Sequence, residues 1–472
     1  MNSNIPLVDV SDDARHLNKK NNLYAAREKI YVRSITGFFQ RIRSVTLSLL
    51  LGMYFSFAWI RINDAPLILF DLSEQKFYLF GAVFWPQDFT LLALALIICA
   101  FGLFFISALF GRVWCGYSCP QTAWSLIFIW LEEFFEGSRN QRIKLDKSGG
   151  NLNKWLRKGG KHLSWLILAV ATALTFVGYF YPIRDLVSEL FTLSLDSGWA
   201  LFWIGFFTLA TYANAGWLRE QVCIYMCPYA RFQSVMFNEN TMIVGYDKQR
   251  GEPRGSRSRG ATQDNLGDCI DCQMCVQVCP VGIDIRDGLQ YECIGCALCI
   301  DACDSIMSKM NYDKGLIRYA SEVEFEQQKK SRKLDARALA YGTFMLAAVG
   351  LFTVLMLNRP MAELSAMRDR GPLYQESGLG KILNFYTLKL VNKRETADSF
   401  VVSLESDFPM QVSLKRLSIG PGEVKTFPLS VEVNPEDITA SSSELRFRMQ
   451  SISNPELQLS AESKFLGPRP PS

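Results

Sequence analysis

The chain has 472 residues but only two histidines, His16 and His162. An intramembrane b-type haem uses facing histidines as axial ligands, so that cofactor is excluded. The net charge is only +4, and no global basic field invites nucleic acid. The 14 methionines form no M-x-M cluster of the kind that makes up a copper-transfer domain. No cleavable signal peptide is apparent, because the first stretch is polar and basic and the first apolar run has the character of an uncleaved anchor. The last part of the chain, from Asn358 onward, has no cysteine at all.

What is abundant is apolar surface. Hydrophobic residues make up 49% and aromatics 13% of the chain, more than a single soluble domain can hide. Five apolar segments of membrane-crossing length are expected near 40–60, 89–110, 162–181, 199–217 and 338–357. A shorter run, 121–135, carries Trp124, Trp130, Glu132 and Glu133 and reads as an interfacial or half-buried helix. Trp59, Trp85 and Trp217 fit aromatic belts. Lysine and arginine number eight up to Arg43, two in 61–87, nine in 111–161, one in 182–198 and sixteen in 218–337. That alternation orients the N-terminus and the cysteine-rich region to the cytoplasm, with the C-terminal region on the far side.

The 13 cysteines are clustered rather than spread, which points to metal binding in a reducing compartment rather than to disulfides. Cys269-Ile-Asp-Cys272-Gln-Met-Cys275-Val-Gln-Val-Cys279-Pro280 is followed by Cys293-Ile-Gly-Cys296-Ala-Leu-Cys299-Ile-Asp-Ala-Cys303. This is C-x2-C-x2-C-x3-C twice. Three close thiolates wrap the corners of a [4Fe–4S] cube and the fourth comes from the other copy. The first cluster is then expected on Cys269, Cys272, Cys275 and Cys303, and the second on Cys293, Cys296, Cys299 and Cys279. Zinc sites favour two separated C-x2-C knuckles, so zinc is the weaker reading. Asp304 stands where the first copy has Pro280, and its charge is expected to lower the first cluster's potential.

Four more cysteines form Cys115-Gly-Tyr-Ser-Cys119-Pro120 and Cys223-Ile-Tyr-Met-Cys227-Pro228, after the second and fourth apolar segments. Each proline suits the first turn of a new helix, which places Cys119 and Cys227 at N-caps where partial positive charge favours thiolate. The repetition hints at a duplicated two-helix hairpin. Such thiolates suit either a soft ion such as Cu(I) or a cysteine redox pair. Cys99, alone in its segment, reads as packing, His162 as an interfacial residue, and Met226 as a further soft ligand to examine.

Between the fourth segment and the clusters, 245–267 is Gly-, Arg- and Ser-rich and reads as a mobile basic linker. The C-terminal region alternates like strands over 385–391, 400–404, 412–417, 424–433 and 445–449, with turn residues between, and a β-sandwich without a catalytic constellation is expected.

The two C-x3-C-P motifs, the segment 245–255 (Gly-Tyr-Asp-Lys-Gln-Arg-Gly-Glu-Pro-Arg-Gly) and the ending Cys303-Asp-Ser-Ile-Met together resemble the CcoG/FixG/RdxA family, accessory proteins of cbb3-type cytochrome c oxidase. The resemblance covers almost the whole chain. It implies a bacterial inner-membrane, multi-pass protein with a cytoplasmic two-[4Fe–4S] ferredoxin-like domain and a periplasmic immunoglobulin-like domain. It also implies a role in oxidase assembly and reduction of Cu(II) to Cu(I), with Cys115, Cys119, Cys223 and Cys227 as the copper-handling residues. The expected partners are the oxidase assembly machinery, copper chaperones, membrane lipid and a cytoplasmic electron donor. The competing readings are an electron-transfer subunit of a respiratory pathway and an assembly scaffold with structural or sensory clusters. The expected layout is an N-terminal tail 1–39, a membrane domain 40–244, the linker 245–267, the cluster domain 268–312, a connector 313–337, a fifth span 338–357 and the β-sandwich 358–472.

Overall fold

Long apolar runs free of proline fold into helices, and these dominate the first part of the chain. The computed structural model describes residues 29–62, 65–192, 198–257, 266–329, 335–377, 380–394, 396–406, 409, 411–412, 416–438 and 440–468. His16, most of the N-terminal tail and residues 258–265 of the basic segment lie outside them. The chain divides into two units, the first ending at Val349 and the second beginning at Gly350.

The first unit is built on helices α1 (Phe38–Phe57), α2 (Phe89–Phe110), α3 (Pro120–Glu136), α4 (Leu152–Val177), α5 (Gly198–Thr211), α6 (Pro228–Met236) and α7 (Leu298–Met310), and α8 (Ala336–Leu357) begins in it and continues past Val349. Among the described residues α2, α4 and α8 are long and apolar enough to cross a membrane. The other two expected spans are not among these three. Helix α1 carries Arg41 and Arg43 near its start, and α5 has 14 residues before it passes into a π-helix, Tyr212–Leu218. Helix α4 starts at Leu152 rather than at 162, because Asn151 caps it by accepting from the Asn153 N–H at 3.2 Å and its first turns are polar.

Aromatic contacts join these helices. Phe101 of α2 meets Phe344 of α8 at 4.2 Å between ring centroids, and Phe176 of α4 meets Phe207 of α5 at 4.3 Å. Tyr54 of α1 stacks edge-on with Trp124 of α3 and donates to the Thr172 carbonyl of α4 at 2.9 Å. Two expectations need correction. Cys99 is exposed on α2 rather than packed, and Trp85 is 2% exposed, covered within the loop before α2 instead of lying in an aromatic belt; Trp59 and Trp217 are exposed.

The cysteine-rich domain uses more of the chain than 268–312. Strand β1 (Ile243–Tyr246) pairs antiparallel with β2 (Ile317–Ala320), and Val244, Tyr246, Leu316 and Ile317 pack with Cys269 and Cys275 in one apolar core. The linker expectation fails over 245–257. Arg250 bonds the Asp268 carboxylate at 2.5 Å and the Lys314 carbonyl at 3.0 Å, and Gly255 N–H donates to the Cys269 carbonyl at 3.1 Å. Its arginines are structural fasteners, which composition alone does not distinguish from solvated charges.

The second unit holds two antiparallel sheets. Its long strands are β3 (Ala362–Arg368), β4 (Ile382–Asn392), β5 (Asp398–Ser406), β6 (Arg416–Ile419), β7 (Val424–Val433), β8 (Ser442–Ser451) and β9 (Gln458–Leu466). One sheet has β7, β4 and β3 in that order, with two-residue strands on β7 and β4; the other runs β6, β5, β8, β9. Alternate residues of both sheets meet in one core around Tyr386, Phe400, Phe447 and Phe465, each fully buried. Tyr386 also donates to the Lys464 carbonyl at 3.0 Å, tying one sheet to the other.

Candidate functional site

Both C-x3-C-P motifs adopt the same local plan. A short helical turn carries the first cysteine, Val113–Tyr117 for Cys115 and the π-turn Val222–Met226 for Cys223. The second cysteine then takes an extended backbone as N-cap, Cys119 before α3 and Cys227 before α6, with proline at the first helical position. Proline needs no N–H donor there, so the helix starts where the sequence says. All thirteen cysteines are free of disulfides.

The fold brings the two motifs together. The Cys115 thiol interacts electrostatically with Cys119, Cys223 and Cys227, so both motifs bear on one thiol. Burial pushes the Cys115 thiol up to about 12 and Cys223 up to about 11, and Arg112 opposes both. The Arg112 guanidinium is itself fixed by the carbonyls of Tyr291 and Ala230. Gln233 of α6 reaches the Cys115 thiol at 3.5 Å, while its amide donates to Ser107 Oγ at 3.1 Å and the Gly111 carbonyl at 3.0 Å. A soft cation that binds such thiols forms bonds to sulfur and displaces their protons to solvent. Met226 is 61% exposed.

The two ferredoxin motifs repeat one backbone path. Asp271 and Gln273 have positive φ in the first copy, and Gly295 and Ala297 have positive φ at the matching positions of the second. Non-glycine residues adopt that conformation at a cost, and matched strain in both copies marks chain wrapped around a ligand. The thiols of the two motifs face one another across a shared interior. Cys303 feels Cys275, Cys269 and Cys272, whereas Cys293 feels Cys296 and Cys279. Burial pushes Cys275, Cys293 and Cys303 up to about 12 and Cys279 up to about 11. Positively charged iron is the partner that buried thiols such as Cys275, Cys293, Cys299 and Cys303 call for as thiolates, so the residues fit two clusters. Among the described residues no three His, Cys, Asp or Glu side chains converge to hold a single metal ion. A cubane, which has a separate iron at each corner, asks for thiols ringed around a volume instead.

The two cysteine groups touch. Gly116 lies so close to the second ferredoxin motif that a Cβ there would sit 2.9 Å from Cys296 Cα. Tyr117 donates to the Cys296 carbonyl at 3.3 Å, and Cys115 and Ile224 share an apolar cluster with Cys296 and Cys279. The first set opens outward instead, since Cys272 is exposed. Asp301 of α7 accepts from the backbone N–H groups of Phe39 at 3.2 Å and Gln40 at 2.8 Å, which pins the cluster domain to the start of α1. Asp304, by contrast, accepts from Gly315 N–H at 3.0 Å.

Sequence reasoning missed Arg112, Gly116, Tyr117, Gln233 and Asp301. Only Gly116 had a signal, as a glycine inside a cysteine motif where close backbone approach is needed. His162 Nδ1 shares a 2.7 Å hydrogen bond with Tyr212 Oη.

Three family descriptions match the chain: a 4Fe-4S dicluster domain over 218–322, a 4Fe-4S binding domain over 92–133, and the Ig-like fold at the C-terminus of FixG over 352–468. The chain is similar to nitrogen fixation protein FixG of Rhizobium meliloti, 36% identical over 88% of this chain and 86% of that protein. It is similar to protein RdxB of Cereibacter sphaeroides, 37% identical over 86% and 87%. Protein RdxA of the same organism is 34% identical over 92% of this chain and 96% of its own. A crystal structure of a FixG-related protein from Vibrio parahaemolyticus aligns with 23% of this chain and 96% of its own, at 24% identity and a TM-score of 0.21.

Proposed function

We propose that this chain, which belongs to the FixG/RdxA family of iron–sulfur proteins, assists cbb3-type oxidase assembly by reducing Cu(II) to Cu(I). The observation that carries the reading is the contact between Gly116-Tyr117 and Cys296, which sets the C-x3-C-P cysteines directly beside the second ferredoxin motif. Cys269, Cys272, Cys275 and Cys303 would hold one [4Fe–4S] cluster and Cys279, Cys293, Cys296 and Cys299 the other. When bound, the clusters supply one-electron storage. Cys115, Cys119, Cys223 and Cys227 receive Cu(II) as substrate; it gains one electron and leaves as Cu(I), the state that thiolates favour. Arg112 steadies the thiolates and Gln233 orients Cys115.

The chain is read as a five-span protein of the bacterial inner membrane, with α1 and the helix beginning at Gly198 as the two spans beyond α2, α4 and α8. The lysine and arginine distribution supports a cytoplasmic N-terminus and cluster domain and a periplasmic C-terminal unit. Oxidase assembly factors and copper chaperones are the partners this activity calls for.

The test is anaerobic purification, Cys→Ser replacement at 115, 119, 223 and 227, and measurement of Cu(II) reduction after reduction by dithionite. A large loss of rate with iron retained is expected. An unchanged rate with both clusters intact would remove copper from those cysteines. It would favour a second reading, a pure electron-transfer subunit, which the absence of a converged single-ion site among the described residues supports.

A further inference from the structure

Helices α4 and α5 enclose a groove of about 810 Å³. Leu163, Leu166 and Val170 line it from α4, and Leu201, Gly205 and Leu209 from α5. Residues one helical turn apart share a face, so this is one continuous apolar slot between two helices. Leu163 and Leu209 are 60% and 69% exposed, so the slot opens on the surface that lipid would cover.

One end is polar. His162 and Tyr212 close it with their 2.7 Å hydrogen bond, and the Trp165 ring stands edge-on to the imidazole at 5.3 Å. One turn before Tyr212, the buried Thr208 hydroxyl has no hydrogen-bond partner among the described residues. Past His162 lies a second cavity of about 380 Å³, lined by Glu132, Lys161, Arg219 and Glu220. His162 borders both spaces. The cations there are engaged, Lys161 with Glu136 at 2.6 Å and Arg219 with Glu132 at 2.7 Å. A phosphate headgroup therefore finds its counter-charges taken, whereas a neutral polar head finds an imidazole, a phenol and an unpartnered hydroxyl. From Tyr212 the chain runs in π-helical turns to Cys223, and such turns recur at functional sites.

We propose that this groove binds a membrane hydroquinone, its isoprenoid tail along the leucines and its head at His162 and Tyr212, as the electron donor. The proposal rests on the electron-relay reading and puts a lipid-soluble donor in place of the cytoplasmic one expected from the sequence. Oxidation breaks both O–H bonds, leaves a quinone, and releases two electrons and two protons. When held by their eight cysteines, two oxidised [4Fe–4S] clusters would supply the acceptors, one electron each. With Nδ1–H donating to Tyr212, His162 Nε2 takes the first proton, and both protons leave by the polar cavity.

The test uses the holoprotein in lipid nanodiscs with a photoreactive short-tail quinone, and Trp165 fluorescence quenching for affinity. Labelling within 163–170 and 201–212, competed away by unlabelled quinone, is expected. Gly205→Phe extends into open space, since a Cβ there meets nothing within 4 Å. With iron content retained, it should raise the quinone Kd at least about tenfold. His162→Gln should slow cluster bleaching by a short-tail hydroquinone about a hundredfold at saturating hydroquinone, as loss of the proton acceptor requires. Labelling competed by phospholipid but not by quinone, or full affinity in Gly205→Phe, would overturn the proposal. If dithionite-reduced protein still reduces Cu(II) while quinone fails to bind, the relay stands and only the donor falls.

Discussion

At Gly116 a missing side chain decides how two redox centres meet. Any Cβ there enters the backbone of the Cys296 loop, so Gly116→Val must push the loop or the motif aside. We expect altered EPR of one cluster, an unaltered second signal and unchanged total iron; two unchanged signals would disconnect the motif from the cluster. Asp301 acts across a similar boundary, because its carboxylate serves as the missing cap of α1. Asp301→Ala should cost about 1 kcal/mol, as lost N-caps do, and show as faster hydrogen exchange at Phe39 and Gln40. In the second unit, burial raises the Asp398 carboxyl, but Ser453, Ser451, the Ser399 N–H and Arg394 outweigh it and hold it below 3.8. A lowered folded value stabilises above the unfolded one and is lost as pH falls through it. Thermal stability of this unit should therefore drop as pH falls below about 4, and Asp398→Asn should flatten that dependence.

Helix α3 shows how an element can hide its purpose. Its acidic end suits a membrane interface, yet Glu132 and Glu136 are 1% and 0% exposed. Glu132 lies 2.7 Å from Arg219 and 3.7 Å from Arg142, and Glu136 pairs with Lys161. Removing one partner from such a network strands the others without water. Glu132→Gln should cost about 3 kcal/mol, measured as a fall in melting temperature in detergent. A change near zero would mean that the arginines find solvent, and that α3 lies shallower than its packing indicates. The sandwich strands are more transparent. Ser442–Ser451 alternates exposed and buried without a break, and its middle, 445–449, was legible in the sequence. Ala362–Arg368 and Gln458–Leu466 escaped notice, because small or polar residues leave the period of two faint.

Across the whole molecule, the cluster domain and the sandwich rely on different means of cohesion. Cysteines form much of the core around Val278, Ile294 and Leu298, with only two short strands nearby. The sandwich core contains no cysteine and rests on aromatic and branched side chains. Stripping iron should therefore collapse hydrogen-exchange protection over 266–320 and leave protection of the C-terminal strands within error. Equal loss in both units would show that the clusters hold more of the chain than their own domain.

By itself the sequence determined the cluster type, the helix starts at Pro120 and Pro228, and the presence of a β-sandwich, because each follows from ligand spacing or local backbone chemistry. Only the tertiary structure decided that Cys115 feels Cys119, Cys223 and Cys227, that Gly116 abuts Cys296, and that His162 closes a groove. Those are contacts between segments far apart in the chain. They depend on how helices pack and which buried charges find partners, and neither leaves a period or a motif to read.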